Sequence, residues 1–384
     1  MKIFNRIVLN HNINHREKKM ALISGYYGMD NTGDDCLLAV ASWGTRTFIK
    51  PHKLLASAVK VPSIVNCKLA TPILRYKQFL PGQHRLTECI TALGVKTIVF
   101  GGGSIFHTAR DIKHKMELLK LSGRGPHYAI GVSLGPFRDK ASEVCCEELL
   151  KRLSFVGLRD QESVDIAQSM SKNIYYKKTF DLAPLLPRSC NTAIEPFLQS
   201  SRERKGIGIA LCDYERYTGG DRANEMARRK VIINVIKKIS KEIMDEVVFI
   251  DFNGHRYFGD ASIHRDIEQE ISHDVKVRHI PYLADPLQTL KEIGNLRLLL
   301  AMRLHGAVFG FITNTPTMMI TYHPKCRGWA SQIGLAERYM IDSTALDVDY
   351  LRDLILEISD GHYNYPRLSY PEAEKLSMLN FSFA

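Results

Sequence analysis

The chain is 384 residues long, 45% hydrophobic and 24% charged, with a formal net charge of +11. That length exceeds what one compact core usually holds, so two domains are expected. No run approaches the roughly 18 apolar residues of a membrane-spanning helix, and zinc-finger spacing and an RNP1-like strand are both missing, so nucleic acid is a poor explanation of the positive charge. Anionic lipid or a phosphorylated substrate explains it better.

Residues 1–19 read as a basic extension without the apolar core of a secretory signal. The eight cysteines form no C-x-x-C pair, and a chain of this size needs no disulfide staples. Reduced thiols in a cytoplasmic protein are expected, with no structural zinc.

From Ala21 onward, short apolar runs alternate with helical periodicity. In the first half the pattern predicts strands at Ala21–Ser24, Val61–Val65, Lys96–Phe100, Tyr128–Val132, Phe155–Leu158 and Asn173–Tyr176. Helices are predicted at Cys36–Thr45, Gln83–Leu93, His107–Lys120, Ser142–Leu153 and Glu162–Ser169. Asp181–Ser201, with three prolines and several serines, suits a hinge.

The second half repeats the alternation. Strands are predicted at Gly206–Leu211, Val247–Asp251, Val275–His279, Leu296–Ala301 and Thr317–Thr321. Helices are predicted at Asp221–Lys241, Ser262–Ile271, Pro286–Ile293, His305–Phe311, Cys326–Ile333 and Tyr350–Ile358. The most apolar region, Leu296–Ile312, is broken by Arg297, Arg303 and His305 and reads as a buried strand followed by a helix. Strand–helix alternation implies parallel sheets covered on both faces. The expected fold is therefore α/β, with two Rossmann-like doubly wound domains facing across a cleft. The boundaries divide the chain into an extension (1–19), a first domain (20–185), a linker (186–201), a second domain (202–362) and a tail (363–384).

In such sheets ligands sit at the carboxyl ends of strands, and six strand-end segments carry candidate chemistry. Gly25–Asp35 offers three glycines, then Asp34 and Asp35 at a helix start; it is neither a Walker A loop nor a G-x-G-x-x-G. A glycine turn with an aspartate N-cap would give the same pattern. Gly101-Gly102-Gly103-Ser104 suits close approach of a phosphate or sugar to the backbone. Gly131–Phe137 carries a Gly-Pro turn. Gly157–Ser163 places Arg159 where it could clamp an anion bidentately, although Asp160 could be its surface partner. Ala301–Ala307 sets Arg303 and His305 in an otherwise apolar setting, where an unpaired guanidinium is costly. Tyr322–Gly328 adds Lys325 and Arg327 near another helix start.

Taken together, Gly25–Asp35, Gly101–Ile105, Gly131–Pro136, Leu158–Ser163, Asp181 with its following Leu-Ala-Pro-Leu-Leu, Met302–His305 and Tyr322–Lys325 resemble the polysaccharide pyruvyltransferase family. The Arg-Leu-His-Gly-Ala and Asn-x-Gly-Asp-Asp-like pieces are the most specific. The likeness spans roughly residues 21–330 and leaves out the extension and the tail. Ser133 departs from it where glycine is common, and Leu182 where proline is common.

The resemblance implies a glycosyltransferase-B-like fold, a phosphoenolpyruvate donor, a sugar acceptor and no cofactor or metal. On it, Arg303, Leu304 and Arg159 fall in the donor site, joined by Gly102, Gly103 and Lys325. His305 is the expected general acid, with Asp34 or Asp35 orienting or deprotonating a hydroxyl. Tyr27, Asp30, Asn31 and Ser104 are assigned to the acceptor. The expected location is cytoplasmic. The predicted helix Asp221–Lys241, with its stripe Val231, Ile232, Val235, Ile236 and Ile239, turns cations outward. They could meet anionic lipid or a lipid-linked acceptor, or simply face solvent. The rival readings are a nucleotide-sugar glycosyltransferase of the same architecture and a noncatalytic carbohydrate- or nucleic-acid-binding protein.

Overall fold

The computed structural model describes residues 19–383 apart from 75–79, 124, 201–202, 244 and 272–274. The extension expected over 1–19 therefore lies, but for Lys19, outside the described residues.

The first domain runs β1 (Met20–Ser24), α1 (Thr32–Gly44), β2 (Lys53–Ala56), β3 (Thr71–Pro72), α2 (Gln83–Leu93), β4 (Thr97–Phe106), α3 (Ala109–Leu121), β5 (Tyr128–Leu134), α4 (Lys140–Leu150), β6 (Phe155–Leu158), α5 (Gln161–Ser169) and β7 (Tyr176–Lys178). After a short α6 (Leu186–Ser189), the second domain runs β8 (Ile207–Ala210), α7 (Tyr214–Thr218), α8 (Arg222–Ile239), β9 (Val247–Ile250), α9 (Ala261–Ile271), β10 (Val277–Ile280), α10 (Pro286–Gly294), β11 (Leu298–Ala301), α11 (Leu304–Ile312), β12 (Thr317–Thr321), α12 (Pro324–Ile333), β13 (Met340–Asp342) and α13 (Val348–Ser359). A final helix, α14 (Tyr370–Met378), follows.

Both sheets are parallel throughout. Their orders are β3-β2-β1-β4-β5-β6-β7 and β10-β9-β8-β11-β12-β13. Each reverses direction once, between β1 and β4 and between β8 and β11. Those are the topological switch points, where a doubly wound sheet opens a crevice for ligand. The inner strands are apolar on both faces: Leu298, Leu299, Leu300 and Ala301 are all buried, as a sheet sandwiched by helices requires.

Several expected elements differ. Val61–Val65 is not a strand. Pro62 has no N–H for a ladder, and the preceding segment, for which no strand was expected, supplies β2 instead. Its Leu54 and Ala56 point inward while Lys53 is exposed. The glycine triplet does not follow β4 but lies inside it. Gly101 and Gly103 pair with Ile130 and Val132, and the register slips before Phe106. Gly102 and Gly103 take φ of 71° and 81°, a left-handed step that glycine adopts readily and that accompanies the register shift. β7 begins three residues later than expected and presents Lys177 and Lys178, a common protection for an edge strand.

The hinge and the tail are also different from expectation. Asp181–Cys190 is buried except at Arg188; its leucines face the core, so the prolines shape a packed wedge rather than a free linker. In the segment expected as a tail, Tyr363 still packs on the second domain, against Tyr339 and the Thr317 carbonyl, while residues 370–383 return to the first. Asn380 accepts hydrogen bonds from Gly131 N at 2.6 Å and Thr179 Oγ1 at 2.8 Å, and donates to the Phe180 carbonyl at 2.9 Å. Phe381 is 3% exposed, stacks on Phe48 and meets Trp43 edge-on. Gly44 has no side chain because the Phe381 ring occupies that space, 2.0 Å from where a Cβ would stand. Burying this phenylalanine contributes about 2 kcal/mol.

Among the described residues, no helix is long and apolar enough to cross a membrane. The cations of α8 do not all turn outward as expected: Arg228 is buried against Glu215 at 2.7 Å, while Arg229 pairs with Asp266 at 2.6 Å and Lys238 with Asp349 at the surface.

Candidate active site

The two switch points contribute to one cavity of about 270 Å³. Its walls come from the carboxyl ends of β1, β4 and β6 in the first domain and β9, β11 and β12 in the second. Backbone bridges hold the domains together beside it. Thr32 N donates to the Phe252 carbonyl at 2.9 Å, Gly254 N to the Asp30 carbonyl at 2.8 Å, and Asn31 pairs with Asn253.

On the first-domain side, Asn31 caps α1. Its Oδ1 accepts from Gly33 N at 3.0 Å and Asp34 N at 3.2 Å, which satisfies amides a helix start leaves free. Asp34 follows in the first turn and lines the cavity. Burial, reinforced by Asp35, pushes its pKa up to about 7, against the pull of Lys325, Arg159 and Arg303. Arg159 leaves β6 and is fixed on three sides. It donates to Asp181 at 2.7 Å, to Ser133 Oγ at 2.6 Å and to Ser104 Oγ at 3.5 Å. The serine at 133 thus takes part in holding the guanidinium.

On the second-domain side, Arg303 stands at the N-cap of α11. Asp260, fully buried, receives its Nε at 3.1 Å and also its Nη2, together with the amides of Phe252 at 2.9 Å and Asn253 at 3.0 Å. His305, in the first turn of α11, packs against α1, and a Cβ at Gly33 would lie 2.2 Å from its Nδ1. Its Nε2 is buried, has no hydrogen-bond partner among the described residues, and lies 3.9 Å from Asp181. Burial pushes the imidazole pKa down to about 4; Asp181 opposes this, while Arg159 and Lys325 add to it. Lys325 sits in the first turn of α12 and forms no salt bridge among the described residues. Burial lowers its pKa.

The expected site residues divide cleanly. Asn31, Asp34, Gly103, Ser104, Arg159, Arg303, Leu304, His305 and Lys325 line the cavity. Four others do not. Tyr27 is buried and donates its hydroxyl to the Gly101 carbonyl. Asp30 takes a positive φ of 55° and turns to Lys60 at 2.5 Å. Asp35 accepts from Tyr282 across the domains at 2.6 Å. Gly102 faces Leu37, which would lie 3.0 Å from a Cβ there. Alternate directions of successive residues explain the division: a loop or helix start aimed at a ligand sends its neighbours into the protein.

Tyr26, Leu37, His107, Phe252 and Tyr322 also line the cavity, and Asp181 and Asp260 anchor its arginines. Asp181 and Tyr322 stood within recognised segments. Asp260 lies 43 residues before Arg303 with no motif around it.

One further group, Asp251, His264 and His279, is compact enough to hold a metal. His264, however, uses both nitrogens: Nε2 accepts from Leu211 N at 3.0 Å and Nδ1 donates to Asp251 at 2.6 Å. His279 donates to the same carboxylate at 2.9 Å. Burial pushes Asp251 up, but these bonds hold it below the ordinary carboxylate value. The group is a brace under the second sheet rather than an open ligand set.

Two facing Rossmann-like domains with a polar cavity at their paired switch points define a fold of the glycosyltransferase-B class. Solved structures of that class are similar over nearly the whole chain. The putative UDP-N-acetylglucosamine 2-epimerase from Listeria monocytogenes has a TM-score of 0.60 at 8% identity, covering 94% of this chain and 93% of that one. The UDP-GlcNAc 2-epimerase from Methanocaldococcus jannaschii gives 0.59 at 10%, covering 95% and 100%. Anabaena HepE, in complex with UDP and glucose, gives 0.55 at 12%, covering 94% and 95%. At these identities the likeness is one of fold. Residues 26–324 match the polysaccharide pyruvyl transferase family model, and the chain belongs to that family.

Proposed function

We propose that this protein transfers the pyruvyl group of phosphoenolpyruvate to two hydroxyls of a saccharide acceptor, giving a pyruvate ketal and inorganic phosphate. The observation that carries this reading is the convergence of Arg159, Arg303 and Lys325 on a small cavity. Asp34, the one lining carboxyl group among the described residues, has its pKa pushed up to about 7 by burial. A phosphate and a carboxylate on one small molecule match that charge. Ligand pockets commonly span about 300–1,000 Å³, so a cavity of about 270 Å³ suits a three-carbon anion and one edge of a sugar. A nucleotide sugar is a poorer fit.

In the overall reaction C3 of the enol gains a proton, C2 gains two bonds to acceptor oxygens, and the bond from C2 to the phosphate oxygen breaks. Two hydroxyl protons leave the acceptor; their number equals the one gained at C3 plus the one carried off on phosphate. Arg159 and Arg303 hold the anionic groups, and Lys325 meets the charge that grows on departing phosphate. The proton-transfer roles differ from the sequence expectation. A histidine with pKa near 4 is neutral at pH 7 and accepts a hydroxyl proton, so His305 is assigned as general base. Asp34, with pKa near 7, holds a proton to give. The negative charge of a bound donor raises it further and favours the acid form. Asp34 is therefore assigned as general acid towards C3.

Thermal unfolding with and without donor tests the reading. At one hundred times its dissociation constant a ligand stabilises the fold by about 2.7 kcal/mol. Phosphoenolpyruvate is expected to raise the Tm of wild type and to lose that effect in Lys325→Met. A shift with UDP-GlcNAc and none with phosphoenolpyruvate would move the assignment to a nucleotide-sugar glycosyltransferase.

A further inference from the structure

The loop between β9 and α9 starts and ends in the active site but displays its middle to solvent. Phe252 at its start lines the cavity, and Asp260 at its end holds Arg303. Between them Tyr257 is 64% exposed and Phe258 47% exposed. Solvated aromatic rings close together on a polar loop call for an explanation, because they mark contact surfaces.

The tip is built rather than loose. His255 Nδ1 accepts from the amides of Tyr257 at 3.2 Å and Phe258 at 3.1 Å, which fixes the turn. Its ring stacks on Phe258 with centroids 5.3 Å apart. The Arg256 guanidinium lies 5.4 Å from the Tyr257 ring centre, and that of Arg216 lies 5.8 Å from Phe258, both within cation–π range.

Two routes connect this tip to the cavity. One is the loop itself. The other runs through α7: Tyr214 packs on cavity-lining Tyr322 with centroids 4.6 Å apart, and Arg216, two residues on, reaches Phe258. Both routes leave the carboxyl edge of the second sheet, beside its switch point.

We propose that the His255–Phe258 tip is an acceptor subsite that stacks a sugar ring one or more units away from the sugar being pyruvylated. The inference rests on the saccharide-acceptor reading above. The axial C–H face of a pyranose is apolar and slightly positive, and complements the negative face of an aromatic ring. The cavity of about 270 Å³ has room for little more than the donor and the reacting edge of a saccharide acceptor. The remaining units must cross the surface next to it. Arg216 and Arg256 add a preference for saccharides that carry negative charge, such as uronic acids or existing ketals. A membrane-anchoring role would use the same exposed rings, but these are interleaved with imidazole and guanidinium groups and lie on the loop that holds Arg303.

The test compares wild type, Tyr257→Ala/Phe258→Ala and His305→Ala on a printed array of microbial capsular and exopolysaccharides with oligosaccharides cut from them. Phosphoenolpyruvate-dependent Tm shifts are measured in parallel. Wild type and His305→Ala are expected to retain at least one saccharide, more tightly as chain length increases. The double variant should lose that length dependence, with affinity for the long chains falling at least tenfold, while keeping the donor-induced Tm shift. Equal retention by wild type and the double variant overturns the proposal. So does failure of wild type to retain any saccharide, or retention on phosphatidylglycerol vesicles, but on no saccharide, that depends on Tyr257 and Phe258. Absence of a donor shift in wild type would instead count against the donor assignment, and the saccharide result would still decide the subsite.

Discussion

Arg159 and Arg303 approach the same cavity from opposite domains, and each leans on one buried aspartate, yet the two supports are built differently. Asp260 is saturated: it takes Arg303 and two backbone amides and offers little else. Asp181 is shared: it takes Arg159 and the Ala183 amide, and also lies 3.9 Å from the unpartnered Nε2 of His305. Burial pushes Asp181 up, but Arg159 and His305 bring its pKa below the ordinary value. Arg303 is thus a fixed post in the second domain. Arg159 belongs to a network that crosses the cleft and reaches the His305 imidazole.

Removing each aspartate breaks the comparison most directly. Asp260→Ala removes the buried carboxylate that Arg303 and two backbone amides share. A loss of about 3–5 kcal/mol is expected, the cost of stranding one partner of a buried pair. Asp181→Ala strands one cation and one amide, so its loss in denaturant unfolding should be smaller. Its effect on turnover should be disproportionately large, because His305 loses its nearest carboxylate. Equal stability losses with equal turnover losses would mean that the two supports are equivalent after all.

The next effect is geometric. Gly33→Ala places a methyl group where His305 Nδ1 stands, 2.2 Å away. The imidazole has to move, and a displacement of about 1 Å at a reacting group costs roughly a hundredfold in rate. Donor affinity should change little, since neither Arg159 nor Arg303 is touched. A Gly33→Ala enzyme with wild-type kcat would remove His305 from the chemistry.

Gly33 also shows what the sequence could and could not convey. The pattern of strands and helices follows from apolar runs and their periods, and strand-end glycines, arginines and histidine marked loops that line the cavity. Gly33 was visible as part of a glycine-rich segment, but not as the floor beneath an imidazole 272 residues away. Long-range pairings such as Asp260 with Arg303 leave no local mark, because an aspartate before a helix reads the same whether it binds an arginine or water. The same limit affected direction within loops. Asp34 and Asp35 are neighbours of one type; the turn of α1 sends one to the cavity and the other to Tyr282. The C-terminal segment falls outside the family likeness and reads as a tail, and only the docked Asn380 and Phe381 reveal its place in the first domain.

The smallest effect sharpens the comparison through Asp34, which senses both arginines. Its pKa near 7 exceeds that of an unfolded aspartate, so between about pH 4 and 7 the folded state binds more protons than the unfolded one. The group therefore costs stability as pH rises through that window. Asp34→Asn should raise the Tm by a few degrees at pH 8 and by little at pH 4, while transfer is lost. In the wild type, kcat/KM should fall above about pH 7 as the general acid loses its proton. Removing a cation moves that alkaline limb upward, because the carboxylate form loses a favourable neighbour. Arg159 acts more strongly on Asp34 than Arg303 does, so the limb should move further in Arg159→Gln than in Arg303→Gln. An unmoved limb in both would take Asp34 out of the acid role, since no other cavity-lining carboxyl group senses both cations; a larger movement in Arg303→Gln would reverse the comparison, making the second-domain arginine the one electrically tied to the proton donor.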